Sequence, residues 1–382
     1  MLKLSKTQEE CMSHTLTDKA VSLMLELLAI DSPSCHEEHA RIDLESRLKE
    51  LCSTVQIDEK GNLLGRIGAT AGHQESPTVL LCCHMDTVPS AVGVKPSIAD
   101  GILRSDGTTA LGADDKAGIA AILVALEHVV SRGMPHGPIT VLFTVEEEIG
   151  LEGIKALDLA WLGPVDRGYI LDARGPVGTA ITSAPSKSDA KIIFHGKASH
   201  AGFAPEKGIS AISLAARAID RMKLLRIDEV TTANIGTIHG GEVTNVVCDR
   251  CEVTLEVRSS TRERVNRHLA HMEFCCIKAV NDFGGSYEFL PIELYPGYRI
   301  DPSAKELTEF AGICKRIGIE YRTAPTGGGS DTNILRIKGL PVITLGIGYE
   351  GAHTLGEELA IEQLGTLVRL VTALVESEEN IT

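Results

Sequence analysis

The chain has 382 residues, enough for a substantial core and more consistent with two domains than one. With 43% hydrophobic and 23% charged residues it reads as an ordinary globular protein rather than a disordered or membrane-embedded one. Lys plus Arg number 37 against 52 Asp plus Glu, a net charge of −15 without a concentrated basic stripe, which argues against nucleic acid and anionic membrane as partners.

The first ten residues, Met1 to Glu10, lack the apolar centre of a signal peptide, and the longest apolar run, around residues 118–126, is too short to span a bilayer. A cytoplasmic protein is the expectation. The ten cysteines then read as buried free thiols, Cys82-Cys83 and Cys275-Cys276 lying inside apolar segments. Cys248 and Cys251 match CxxC but fall in a strand pattern, where residues three apart face opposite sides, so this pair reads as structural.

Residues 17–30 and 36–51 carry apolar positions at helical spacing, separated by Asp31-Ser32-Pro33-Ser34. Short strands are expected at 54–57 and 63–67, and a buried strand at 78–84 ends in His84-Met85-Asp86. Alternation lets His84 and Asp86 point the same way from the strand's C-terminal end, where open α/β sheets bind ligands. Residues 89–111 are too long and polar for an idle connection. Gly112-Ala113-Asp114-Asp115-Lys116 opens an apolar helix over 117–130, where one aspartate would suffice as a cap. Strands at 139–144 and 168–171 follow, the first leading into Glu146-Glu147-Glu148-Ile149-Gly150 and the second into Asp172. The alternation implies a largely parallel sheet with helices on both faces.

After residue 184 the order becomes β-α-β-β-α-β, the ferredoxin-like unit, with strands at 187–195, 233–239, 251–258 and 286–291 and helices at 208–224 and 262–281. The α/β style then resumes with helices at 304–318 and 360–375, the loop Gly327-Gly328-Gly329-Ser330-Asp331, a strand at 341–346 and His353. The expected organisation is a catalytic domain in two parts, 1–184 and 295–382, interrupted by an inserted α+β domain at 185–294. His84, Asp114, Glu148, Asp172 and His353 form a mixed imidazole and carboxylate set at one sheet edge, suited to zinc, cobalt or manganese. Five such ligands can hold two metals if one carboxylate bridges, which favours hydrolysis, and Glu147 is placed to act as general base. The glycine loop lacks the Lys-Ser/Thr of a phosphate cradle.

In order and context, the series His84-Met85-Asp86, Gly112 to Lys116, Glu146 to Gly150, Asp172 and His353-Thr354 resembles the dinuclear zinc peptidases that include peptidase T, glutamate carboxypeptidase and the aminoacylases. The resemblance implies one zinc on His84, Asp114 and Asp172, with Asp114 bridging to a second on Glu148 and His353. It implies that Asp86 supports the ring of His84 and that Glu147 is the base. It further implies an inserted domain that mediates homodimerisation, with His200, Asn245 and Arg258 contacting substrate, Arg258 as a carboxylate anchor. The GADDK segment is similar to peptidase T, a tripeptide aminopeptidase, whereas residues 199–208 are more similar to glutamate carboxypeptidase. The leading expectation is therefore a peptidase T-like enzyme. A carboxypeptidase or N-acyl amino acid deacylase with the same metal site stands as the alternative, and a catalytically silent metal- or peptide-binding relative as a reading of another class.

Overall fold

The computed structural model describes residues 6–377, with side chains from residue 14; the first five residues of the N-terminal segment lie outside the described residues. Contacts divide the chain into two units. One contains the chain up to Thr182, Ile300–Pro325 and the chain from Ser330; the other contains Ser183–Arg299 and Thr326–Gly329.

The first unit is built on a sheet whose centre is parallel. Ile139–Thr144, Val79–His84, Arg167–Ala173 and Val342–Gly346 lie side by side in that order, each pair parallel. Thr54–Ile57 and Leu63–Ile67 extend one side antiparallel, and Thr179–Ala184 the other. All six residues of Val79–His84 and of Ile139–Thr144 are buried, as expected of strands covered on both faces. The helices Lys6–Leu28, Ala113–Arg132 and Ile361–Val375 pack on one another. Ala113–Arg132 ends at Gly133, whose left-handed backbone lets its N–H reach Val129 and Val130 carbonyls.

Gly118 explains how closely that helix lies on the sheet. A Cβ there would sit 2.6 Å from Cys83 Sγ and 2.7 Å from the Leu171 carbonyl, so only glycine fits. The long segment at 89–111 is partly ordered as the hairpin Ser97–Ala99 and Ile102–Arg104, which joins Tyr349–Glu350 and Glu358–Ala360 in a small antiparallel sheet. Polar composition alone hid those three-residue strands.

The second unit has the expected β-α-β-β-α-β order. Its antiparallel sheet runs Leu225–Arg226, Thr232–Gly240, Arg250–Ser259, Ser186–His195, Ser286–Tyr295, the ferredoxin-like arrangement. Ala211–Arg221 and Arg262–Phe283 bury Leu214, Ala218, Leu269, Met272 and Cys276 against Ile192, Phe194, Val253 and Val257. The nine described cysteines are all free; six of the expected buried thiols are buried or partly so beside Cys82 and Cys83, but Cys35 is exposed on a turn with φ of 69°.

Candidate active site

The first unit gathers its ionisable groups at the C-terminal ends of the parallel strands. His84 closes Val79–His84, Glu147 and Glu148 follow Ile139–Thr144, and Asp172 ends Arg167–Ala173. Asp114 belongs to the first turn of Ala113–Arg132, but its backbone is not helical (φ −79°, ψ 102°), nor is that of Asp115, to which it is joined by a cis peptide bond. The Asp114 carboxylate oxygens face His84 and His353 rather than the helix amides. His353 arrives from the loop after Val342–Gly346 with a positive φ of 65°.

The distances sort these side chains into two groups that share Asp114. Asp114 Oδ1 lies 3.2 Å from His84 Nε2, and Asp172 Oδ1 is 3.7 Å from that same nitrogen. Asp114 Oδ2 lies 3.4 Å from His353 Nε2, which is 2.9 Å from Glu148 Oε1. Each trio converges its ligand atoms within 4.8 Å, and His84, Glu147 and Glu148 do likewise. One carboxylate thus faces two separate clusters, one oxygen to each.

His84 is held for this task. Its Nδ1 lies 2.8 Å from the Asp86 backbone carbonyl and 3.5 Å from the Asp86 carboxylate, so the main chain makes the closer contact that leaves Nε2 free. The Asp86 carboxylate chiefly organises the next strand end. It is fully buried and accepts Glu147 N–H at 3.0 Å, Glu148 N–H at 3.1 Å and the Ser34 hydroxyl at 2.7 Å. Glu37 accepts the Glu146 N–H at 3.0 Å, and Lys60 pairs with the Glu146 carboxylate at 2.6 Å.

The electrostatics are those of a crowded anionic site. Burial, reinforced by Asp172, pushes the Glu147 carboxyl well above its usual range, and burial raises Asp172 and Glu148 as well. Asp114 is pulled the other way: burial opposes ionisation, but His353 and His84 hold it low. His353 is raised to about 10 by Asp114 and Glu148. Four carboxylates against two imidazoles is an excess of buried negative charge that a divalent cation would neutralise. Glu148 Oε1 is buried yet accepts no well-aligned hydrogen bond, although a ring nitrogen is 2.9 Å away. Two lone pairs facing a common point are what metal ligation requires, so the donor set fits.

Comparison with known proteins decides the family. The Peptidase dimerisation domain model matches residues 185–280 and the Peptidase family M28 model residues 62–216. A tripeptidase of Staphylococcus aureus is 38% identical, with a TM-score of 0.86 over 94% of this chain and 97% of that one. Aminopeptidase PepT of Bacillus cereus is 37% identical, with a TM-score of 0.81 over 94% of this chain and 98% of that one. Peptidase T of an Exiguobacterium strain is 26% identical over 94% of this chain and 95% of its own.

The chain belongs to the dinuclear zinc peptidase family. As a member it is a peptidase hydrolase, and the mixed α/β architecture with a dimerisation domain is the family's. In this peptidase the structure brings together His84, Asp86, Asp114, Glu147, Glu148, Asp172 and His353. His200, Asn245 and Arg258 belong to the other unit. There the Asn245 carbonyl accepts the Ala201 N–H at 2.9 Å, His200 Nδ1 accepts the Gly202 and Phe203 N–H groups at 3.1 and 3.2 Å, and Arg258 forks onto Glu256 at 3.0 and 3.1 Å.

Sequence reasoning missed three carboxylates of the peptidase site. Asp115 accepts the His84 N–H at 3.2 Å, Asp331 accepts the Thr144 hydroxyl at 2.6 Å, and Glu357 binds the loop that carries Asp114. Asp115 had a signal, the doubled aspartate at one helix start. The other two depend on long-range pairing that leaves no local pattern.

Proposed function

We propose that this metallopeptidase, a hydrolase of short peptides, is a cytoplasmic aminopeptidase for tripeptides that works with two zinc ions, cobalt or manganese being substitutes. The observation that carries the reading is the division of Asp114, Oδ1 toward His84 and Asp172, Oδ2 toward His353 and Glu148. When bound, the two metals supply Lewis acidity, lowering the pKa of a water and polarising the scissile carbonyl. Glu147 takes the water's proton on its carboxylate and returns it to the leaving amine. Asp86 keeps Glu147 in place through the backbone. The inserted unit, taken as residues 185–294, mediates a homodimer and supplies His200 and Asn245 to substrate, Arg258 joining them only if it leaves its pair with Glu256, in keeping with the unit's match to a dimerisation domain. Free thiols at all nine described cysteines accord with a reducing compartment.

The alternative that reads the substrate's carboxylate, as carboxypeptidase or N-acyl amino acid deacylase, relies on Arg258. That guanidinium is already engaged by Glu256 and donates to the Gly327 carbonyl at 3.1 Å, which supports the amine-reading choice. The test is hydrolysis of a free tripeptide, its N-acetylated form and its C-terminal amide by the zinc-loaded protein. The proposal expects the amide to be cut and the acetylated peptide to resist. The reverse pattern makes Arg258 the anchor and the alternative correct, and no product from any of the three makes the protein a silent relative.

A further inference from the structure

Glu357 lies outside both metal-facing clusters, yet among the described residues of the first unit it accepts more main-chain donors than Asp58, which takes three at a turn. It is 2% exposed and accepts four consecutive backbone N–H groups, Leu111 and Gly112 on Oε2, each at 3.0 Å, and Ala113 and Asp114 on Oε1 at 2.7 and 3.3 Å. These amides enter the helix Ala113–Arg132, where the first N–H groups have no partner within the helix, and its dipole favours an anion. Burial leaves water no access to replace the acceptor.

The placement matters because of what each end of the contact carries. One end is the backbone of Asp114, whose non-helical conformation frees its carboxylate to face two ways. The other end is four residues beyond His353, in a loop closed by Thr354 N–H to the Gly351 carbonyl and Glu357 N–H to the Thr354 carbonyl, both at 3.2 Å. A single carboxylate therefore ties the loop of Asp114 to the loop of His353. Across that tie His353 Nε2 lies 3.4 Å from Asp114 Oδ2.

We propose that Glu357 is a positioning residue for the second metal: it sets the register between the Asp114 and His353 loops, and without its charge the His353 cluster loses its geometry before the His84 cluster does. The inference rests on the dinuclear reading of the site. His84 and Asp172 come from strand ends, held by the sheet whatever Glu357 does, whereas His353 and Asp114 both lie on segments that Glu357 joins.

The test compares Glu357→Gln with the wild-type protein, both stripped of metal and titrated with zinc by calorimetry, and with cobalt followed by visible absorption. Glutamine keeps the size, but it offers one oxygen to two amides and turns its NH2 toward the other two donors. Two binding steps are expected in the wild type. In the variant the weaker step should lose affinity by ~10–100-fold, with a changed cobalt spectrum, while the tighter step moves less than threefold. Glu358→Gln, which alters only the exposed pair with Arg104, serves as the loop control and should titrate as wild type. If Glu357→Gln does not fold, Glu357→Asp takes its place: one methylene shorter, it retains the charge but reaches fewer amides, and the same selective loss is expected. Two wild-type-like steps in a folded variant, or equal loss at both steps, overturn the positioning role alone. A wild-type protein that binds a single zinc overturns the dinuclear reading and this proposal with it.

Discussion

Replacing Asp86 with asparagine tests how the strand ends are wired together. The carboxylate sorts its partners by oxygen: Oδ1 takes the Glu147 N–H, and Oδ2 takes the Glu148 N–H and the Ser34 hydroxyl. An asparagine keeps the first bond if its NH2 takes the Oδ2 position, and Ser34 can reverse its hydroxyl to accept. The Glu148 N–H then faces another donor and loses its acceptor. One unsatisfied donor near a buried site costs about 1–3 kcal/mol, and the remaining bond loses its charge assistance. About 2 kcal/mol lowers Tm by roughly 4–8 °C for a unit of this size. His84 keeps its orientation, because its Nδ1 bonds the backbone carbonyl of residue 86 rather than the carboxylate. Zinc affinity should therefore fall by only ~10-fold, whereas kcat falls further as the Glu147 turn shifts. Thermal melts, zinc calorimetry and steady-state kinetics on Asp86→Asn separate these effects. Complete loss of zinc binding in a folded variant would refute the reasoning, since His84 would then depend on the carboxylate; unchanged Tm and kcat would refute it from the other side.

Other expectations are open to direct measurement. Glu147→Gln should retain both zinc-binding steps and lose ~100-fold or more in kcat, and activity within tenfold of wild type would remove Glu147 from the role of base. Asp331 is buried, and its pKa is raised to about 6 from an ordinary 3.8, first by burial, so the folded protein holds this proton more tightly than the unfolded chain. Ionising it costs about 3 kcal/mol, a penalty fully present above pH 6 and relieved as pH falls from 6 toward 4. In chelator-treated protein, Asp331→Asn should be the more stable form at pH 7–8, with the difference shrinking below pH 6; urea denaturation across that range reads it, and a difference independent of pH contradicts the assignment.

Much of this site was legible because parallel sheets put their strand ends on one edge. His84, Glu147, Glu148 and Asp172 each follow an apolar run of strand length, so order along the chain was enough to place them together. Asp114 stood out as one aspartate more than a helix cap needs. Glu357 could not be read that way: its amide partner at Gly112 lies 245 positions away, and it looks like any acidic loop residue. The Asp86 carboxylate was assigned to the His84 ring and lies 3.5 Å from its Nδ1, but its bonds to main-chain amides 61 and 62 positions on are encoded by no side-chain pattern. Thr179–Ala184 escaped notice for a related reason. Its antiparallel partner, Val342–Gly346, lies on the far side of the inserted unit.

That partnership has a consequence for how the molecule comes into being. Val342–Gly346 sits between Arg167–Ala173 and Thr179–Ala184, so the central sheet has a gap until the chain beyond the inserted unit is made. A chain still emerging from the ribosome can gather His84, Asp114 and Asp172, but His353 comes later still. The two-cluster centre therefore cannot be completed until the inserted segment Ser183–Arg299 has been made, so no finished peptide-cutting centre stands beside that segment while it is still being synthesised.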